Sequence, residues 1–196
     1  MTLRFAVFAM FLTGACHSSW AVTSAAIETR TRAQQIGLPS GKFERGKLNA
    51  ITDVAGVSVG HSTVNFGEGT LRAGQGPART GVTVILPTAD DFWARKVPAG
   101  TFILNGNGEA TGFAWIDESG WLETPIAFTN TMDVATVQKS LGDWMMERNP
   151  QMGLTDDVVL PVVLECDDSA LNDIRGHHVK EKNVREALEK AHPGKP

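Results

Sequence analysis

Two apolar runs rich in β-branched residues limit this chain to folds that contain a buried sheet. Residues 80–87 (TGVTVILP) form the clearer run, and residues 158–164 (VVLPVVL) have the same apolar character. Such residues suit the pleated surface of a sheet, so both segments predict strands in the core. Residues 98–104 are a third candidate strand, and residues 51–61 predict two short strands separated by a tight turn.

Two amphipathic helices are predicted in addition to these strands. Asp133 is a good N-cap residue, and the Asn149-Pro150 pair ends the apolar pattern that follows it, which comprises Val134, Val137, Leu141 and Met145. Asn183 and Glu186 form a variant capping box for a second helix. Strands interleaved with two helices predict a layered domain of the α/β or α+β class.

Residues 114–129 predict a β-hairpin, because two short apolar stretches flank a turn. Trp115-Ile116 and residues 125–128 are the candidate strands, and Glu118-Ser119-Gly120 lies between them.

The glycine-rich stretch at residues 105–112 (NGNGEATG) resembles a phosphate-binding loop. Its third glycine, Gly112, comes one residue too late for the dinucleotide-binding pattern, and residues 114–116 are not predicted to open a helix. No Walker lysine follows. Glycines that let the backbone turn are therefore the better interpretation.

The charge balance argues against a nucleic-acid partner. The formal net charge is −4, and the positive residues are interspersed with other types. A protein that follows a phosphate backbone needs a basic face. The 196 residues, of which 42% are hydrophobic, predict one globular domain with a substantial core.

The N-terminus predicts an export signal over residues 1–21, and hence a periplasmic or secreted protein. Arg4 precedes an apolar run at residues 5–15 that is too short to span a membrane, and Ser19-Trp20-Ala21 offers a cleavage site. Lipid anchoring at Cys16 is the alternative. Residues 22–47 predict a polar lead-in segment, and residues 48–196 the folded domain.

The cysteine and histidine pattern predicts neither a disulfide nor a metal site. Once the signal is removed, Cys166 is alone, and a single thiol is most often a small buried hydrophobe. His177 and His178 are adjacent, so on an extended segment their side chains point to opposite faces. His61 and Ser119 have no identifiable catalytic partners.

Two polar side chains have spacings that are compatible with a binding or catalytic role. Glu118 lies between Trp115 and Trp121, so it can receive a cationic ligand group in an apolar pocket or be a solvated turn acid. Asn172 has an amide that can donate to an oxyanion, although an Asx turn is its default role.

Several separated motifs together resemble the L-aminopeptidase/D-esterase-amidase family, which includes the β-peptidyl aminopeptidases. They occur in order between about Gly46 and Lys190, at residues 49–63, 79–87, 105–112, 115–120, 129–131, 171–173 and 176–179.

This resemblance implies an α+β fold, a four-layer αββα sandwich similar to N-terminal-nucleophile hydrolases. Members cut themselves before a serine, and the serine at the start of the resulting β chain is the nucleophile. They act on peptides, amides and esters, including some D- or β-amino acid substrates, without metal or cofactor. Glu118 would bind the substrate ammonium with Trp115 and Trp121 beside it, and Asn172 would be the oxyanion donor. The expected assembly is a homo-oligomer of αβ units.

The chain departs from the family pattern in two places. It ends at Pro196 before the expected serine, so it corresponds to the α-chain part and is predicted to be inactive alone. Cys166-Asp167-Asp168 stands where an aromatic residue before an Asp is expected. The alternatives are an exported amine-binding module and an enzyme of the ornithine acetyltransferase type.

Overall fold

The computed structural model describes residue 31 and residues 33–38 and 41–195. The chain divides into two compact units, Met1–Phe43 and Glu44–Pro196. In the first unit a 3₁₀ helix covers Ala33–Ile36. The predicted export signal lies outside the described residues. Within the part of the chain that the structure describes, no helix has the length and apolar character to cross a bilayer.

The second unit is built on a four-stranded mixed sheet. Its helices and strands are β1 (Ser58–Phe66), β2 (Ala78–Leu86), β3 (Val97–Pro98), α1 (Phe113–Ser119), β4 (Trp121–Leu122), β5 (Ile126–Thr129), α2 (Val134–Arg148), β6 (Val162–Glu165) and α3 (Glu181–Glu189). The strand order in the sheet is β1-β2-β5-β6. The pairs β1–β2 and β2–β5 are antiparallel, whereas β5 and β6 run parallel. The two short strands β3 and β4 form a separate antiparallel pair.

The predicted α+β class is confirmed, as are the strand at residues 80–87 and both amphipathic helices. The strand predicted over residues 158–164 is confirmed only in its second half, because β6 begins at Val162 and Val158 is 60% exposed.

The capping box predicted for Asn183 and Glu186 is wrong, because α3 begins two residues before Asn183 and Glu186 pairs with Lys190. The side chain of Asn183 caps α3 by accepting a hydrogen bond from the Lys180 amide at 3.0 Å. The described residues supply one helical layer on one sheet of the expected αββα arrangement.

The hairpin prediction for residues 114–129 is wrong in its first half, because Trp115 and Ile116 lie in α1. The chain enters this helix through Gly112, whose φ of 76° is left-handed. A Cβ on Gly112 would lie only 2.9 Å from the Leu160 carbonyl oxygen, so glycine is required there. Helical spacing also lets Phe113 and Ile116 face the sheet together.

Two other strand predictions are wrong in part. Residues 51–53 form a 3₁₀ helix, so only the later part of that segment is a strand. Of the third candidate, residues 98–104, only Pro98 lies in a strand, because β3 covers Val97–Pro98. Beyond it, Phe102 and Leu104 are each 84% exposed. The paired strand β4 ends at Leu122, so the described sheet offers no partner that would extend β3 into this apolar run.

The main core lies between the sheet and the helices α2 and α3. Side chains alternate across strands, so the face formed by Val84, Ala127 and Val163 packs on the helices. Leu141 and Val184 on the helices are fully buried against this face. Because α2 and α3 pack on β2, β5 and β6 together, they fix the positions of these strands relative to one another.

A smaller apolar cluster covers the opposite face of the sheet over β5 and β6. Ile116 of α1 and Leu122 of β4 pack there on Val162. Over β1 the same face is open, and His61 and Thr63 are exposed.

Close contact between β1 and α3 depends on Gly60. An added Cβ would lie 1.9 Å from the Ala187 carbonyl oxygen and 2.7 Å from the Ala191 amide nitrogen. Both are backbone atoms, so the helix itself would have to move.

We therefore expect Gly60→Ala to lower the free energy of unfolding by about 1–3 kcal/mol or more, through overpacking. The matched control is Gly142→Ala in α2, where the added Cβ would sit 3.7 Å from the Pro161 ring. That change should be neutral or stabilising by up to about 1 kcal/mol, because alanine favours helix. Denaturant unfolding of the purified protein measures both, and equal effects would contradict the packing model.

Candidate active site

The strand register gathers several polar groups at one end of the sheet. Thr129 ends β5 opposite Glu165, the last residue of β6. The Thr129 hydroxyl also donates to the carbonyl of Gly81, near the start of β2, at 3.1 Å. Phe66 ends β1 opposite Ala78, the first residue of β2. This end, where β5 and β6 finish, is called the Glu165 end of the sheet.

The glycine-rich segment lies along the outer edge of β6. The Glu165 amide donates to the Glu109 carbonyl at 3.0 Å, and the Thr111 amide donates to the Val163 carbonyl at 2.9 Å. The Thr111 hydroxyl accepts from the Val163 amide at 2.9 Å. These bonds satisfy the outer edge of the last strand. The segment is therefore held against the sheet at Glu165. The expectation that residues 114–116 do not open a helix is wrong, because α1 begins directly after this segment.

The Glu165 carboxylate is the chemically unusual group of this region. Its Oε2 is buried and has no hydrogen-bond partner among the described residues. Gly108 packs against the other oxygen, since a Cβ there would lie 3.2 Å from Oε1. A buried acceptor without a donor costs about 1–3 kcal/mol, and more when charged. A cationic donor is the group that stabilises such a carboxylate best.

A pocket of ≈ 440 Å³ opens beside Glu165. Its lining combines apolar side chains with a few amide and carboxylate groups: Phe102, Ile103, Leu104, Phe113 and Leu164, with Asn105, Asn107, Glu109 and Glu165. An apolar wall with few polar groups is typical of small-molecule sites. The combination suits an organic ammonium that carries an apolar substituent.

Asn172 lies at the same end of the sheet, beside the first residues of β2. Its side chain is buried, with 2% of the residue exposed. The Oδ1 accepts from the Arg79 amide at 3.1 Å, and the Nδ2 donates to Asp168 Oδ1 at 2.9 Å. Both ends of the amide thus serve internal bonds, and Asn172 does not line the Glu165 pocket.

Asp173 fixes the loop before β2 to the segment that carries Asn172. Its Oδ2 accepts from the Gly76 amide at 3.1 Å and is 2.9 Å from His178 Nε2. Burial opposes ionisation of this carboxyl, but the bonds from His178, Gly76 and Gly74 outweigh it. The pKa of Asp173 is therefore lowered.

The second histidine of the pair contacts a different carboxylate. His177 Nδ1 is 3.2 Å from Oδ1 of Asp133, which is fully buried. The other oxygen of Asp133 accepts from Asn130 Nδ2 at 2.8 Å and from the Val179 amide at 3.2 Å. The two histidines thus have separate partners. Within the described ranges, no group of His, Cys, Asp and Glu side chains is arranged to hold a metal ion.

Glu118, the residue predicted to bind the substrate ammonium, is exposed near the end of α1. Trp115 Nε1 donates instead to Oε1 of buried Glu123 at 2.9 Å, and Lys96 pairs with the same carboxylate. Trp121 is 43% exposed. None of the three predicted residues lines the Glu165 pocket, so their substrate role stays a prediction.

Cys166 and Ser119 each lie just after or at the end of a regular element. Cys166 is exposed, so the prediction of a buried thiol is wrong: it follows the last residue of β6 and has left the core. Ser119 accepts a hydrogen bond from the Trp121 amide at 3.2 Å and closes the turn after α1.

Glu165 is the residue that sequence reasoning missed. Its signal was a single carboxylate directly after the apolar residues 158–164. Such a side chain at the end of a buried strand must find a partner or line a site. That signal is weak, because the strand's neighbours are unknown from the sequence.

The comparisons with known proteins decide the family. The sequence model of peptidase family S58 matches residues 49–196. The chain belongs to peptidase family S58. Two curated relatives from Sphingosinicella xenopeptidilytica and Sphingosinicella microcystinivorans are both named beta-peptidyl aminopeptidase BapA. They are 44% and 41% identical to the chain over 165 residues, which is 83% of the chain and 40% of each relative. The chain thus spans about two fifths of their length.

Solved structures agree with this assignment to the S58 family. The PH0078 protein from Pyrococcus horikoshii OT3 has a TM-score of 0.80 and 47% identity, over 83% of this chain and 46% of that one. The L-aminopeptidase D-Ala-esterase/amidase from Ochrobactrum anthropi has a TM-score of 0.72 and 40% identity, over 84% and 46%. The latter is described as a prototype for the serine aminopeptidases and a variant of the Ntn hydrolase fold. The family expected from the motifs is confirmed.

The lowered pKa of Asp173 predicts a pH-dependent stability for this S58 chain. A depressed carboxyl pKa stabilises the fold above the unfolded value of about 3.9, and the effect is lost as the pH falls through the folded value. Asp173→Asn should therefore lower the melting temperature at pH 7, with a difference that shrinks below about pH 4. Thermal unfolding from pH 3 to 7 measures this. The control is Asp156→Asn, which should lower the melting temperature less than Asp173→Asn at pH 7.

Proposed function

We propose that this chain is the α part of an exported serine aminopeptidase that removes N-terminal residues from peptides, amides or esters. The observation that carries the proposal is Glu165, whose Oε2 is buried with no partner within the described chain and which lines a partly apolar pocket. Membership of peptidase family S58 supplies the reaction class.

The Glu165 pocket explains why such an enzyme would act at an N-terminus. A free α- or β-ammonium group pairs with the carboxylate, and the adjoining side chain lies against the apolar wall. A hydrogen bond to a charged group contributes about 1.5–3 kcal/mol. An internal peptide bond has no ammonium group beside it, so a substrate bound there would not make this contact.

The nucleophile belongs to a second chain in this proposal. The family resemblance implies a serine that self-cleavage exposes at the start of a β chain, with its own α-amino group or a nearby group serving as base. Asn172 is the oxyanion donor that the resemblance predicts, and an interaction of that kind is worth about 10²–10³ in rate. The αβ units are expected to associate further into a homo-oligomer.

Export is supported by the N-terminal residues alone. Residues 5–15 form an apolar run after Arg4, and small residues surround a candidate cleavage site at Ala21. The proposal therefore places the mature enzyme in the periplasm or outside the cell.

Replacing Glu165 tests the ammonium pocket. In the complete protein, Glu165→Gln should lower kcat/KM for an amino-acid amide by about 10- to 100-fold, because a neutral amide pairs less well with an ammonium. Steady-state kinetics measure the change, and an N-acetylated substrate should lose a similar factor with the unaltered enzyme. The matched control is Glu189→Gln at the exposed end of α3, which should stay within about threefold. A large loss with Glu118→Gln and none with Glu165→Gln would favour the role predicted for Glu118.

Intact-mass spectrometry of protein purified from its source tests the two-chain organisation. We expect this chain, trimmed near Ala21, together with a second chain whose first residue is serine. Recovery of an amine-binding protein without such a serine chain would contradict the peptidase. It would favour the exported binding module instead.

A further inference from the structure

The side-chain amide of Asn172 is held in one orientation by two partners of opposite character. Its Oδ1 accepts from the backbone amide of Arg79 at 3.1 Å, and its Nδ2 donates to Oδ1 of Asp168 at 2.9 Å. A backbone N–H can only donate, and an ionised carboxylate can only accept. A flipped amide would set two donors against each other at Arg79 and two acceptors against each other at Asp168. The nitrogen of Asn172 therefore has to face Asp168.

One N–H group of this amide has no acceptor in the described chain. Nδ2 carries two N–H groups, and among the described residues it donates to Asp168 alone. Asn172 is 2% exposed, and a buried donor without an acceptor is costly, so such a donor is a feature of binding and catalytic sites. Because the amide group is planar, the bond to Asp168 also sets the direction of the second N–H.

Asp168 is itself fixed by the turn that it starts. Its carbonyl accepts from the Leu171 amide at 2.9 Å and from the Asn172 amide at 3.0 Å, so it meets Asn172 through both backbone and side chain. Asp168 is half-buried, whereas Asp167 is exposed and accepts from the Ser169 amide at 2.9 Å. Asp167 therefore offers a matched comparison, because it places a carboxylate in the same loop without a hydrogen bond to Asn172 in the described chain.

We propose that Asp168 is a positioning residue for the oxyanion donor, and that its carboxylate aims the second N–H of Asn172 at the carbonyl oxygen of the substrate. The inference rests on the proposed function, in which Asn172 donates to that oxygen as it becomes negative. Asp168 acts through Asn172 alone and does not contact the substrate. A donor that is aimed in advance needs no reorganisation when the charge develops, and such donors stabilise a transition state best.

Asp168→Ala in the complete protein removes the acceptor and leaves the Asn172 amide free to turn. We expect kcat for an amino-acid p-nitroanilide to fall by about 10- to 30-fold, less than the loss of about 10²–10³ expected when the donor itself is removed. KM should stay within about threefold, because the contact forms in the transition state. Asp168→Asn keeps an accepting oxygen and should hold kcat within about threefold of the unaltered enzyme. The matched control, Asp167→Ala, should leave both constants within about threefold.

A double-mutant cycle separates positioning from any independent effect of Asp168. If Asp168 acts through Asn172 alone, adding Asp168→Ala to Asn172→Ala should change kcat by less than about threefold. Losses that multiply in the double variant would overturn the proposal, as would a rise in KM without a fall in kcat. If Asp168→Ala does not fold, Asp168→Ser takes its place in the cycle. Its shorter side chain does not reach Nδ2 of Asn172, so the same results are expected.

Hydrogen exchange of the Asn172 side-chain amide, followed by NMR, provides a readout that does not depend on activity. The N–H bonded to Asp168 should exchange slowly in the unaltered protein and in Asp168→Asn, and faster in Asp168→Ala. Equal rates in the unaltered protein and Asp168→Ala would overturn the orienting contact. If the unaltered complete protein has no amidase activity, the proposed function fails, and the positioning role with it. If activity is present and Asp168→Ala leaves kcat unchanged, only the positioning role fails.

Discussion

The parallel pairing of β5 with β6 is the constraint on which the rest of this structure depends. Parallel strands need a crossover connection, and α2 lies in the one that joins them. Because β5 also pairs antiparallel with β2, the end of β6 lies at the same end of the sheet as the start of β2. Glu165 and the segment around Asn172 meet there for that reason, although they come from different elements.

The carboxylates of this unit show how a group available to a ligand differs from one that only joins segments of the fold. Asp133 receives Asn130, the Val179 amide and His177, and Glu123 has Trp115 and Lys96. Each of these fixes one segment to another, as buried charges normally must. Glu165 is different, because one of its oxygens is buried without a partner inside the described chain, and the residue lines the partly apolar pocket. That contrast, more than any motif, singles out Glu165 as the group available to a ligand.

Helices and strands whose pattern lies within one stretch of sequence were predicted well. Contacts between residues that are distant in sequence were not. The helical spacing after Asp133 and the β-branched run of β2 each carry their own signal, so α2 and β2 were predicted correctly. The helix that contains Trp115 has only 7 residues and follows a glycine, so its sequence is too short to show helical periodicity and predicts a strand instead. Glu118 stood out because it is flanked by tryptophans, yet one of these, Trp115, bonds to Glu123 instead.

The sequence by itself determined the layered α+β class and the family, because both follow from local periodicity and from motifs in a fixed order. It also determined which side chains can carry charge, including Glu165 and Asp173, and which can donate from a neutral amide, such as Asn172. Only the tertiary structure decided which of them meet. The register of β2, β5 and β6 sets Glu165 beside the glycine-rich loop and ties Asn172 to Arg79. Burial and unmet hydrogen bonds are properties of such long-range contacts, so no local pattern encodes them.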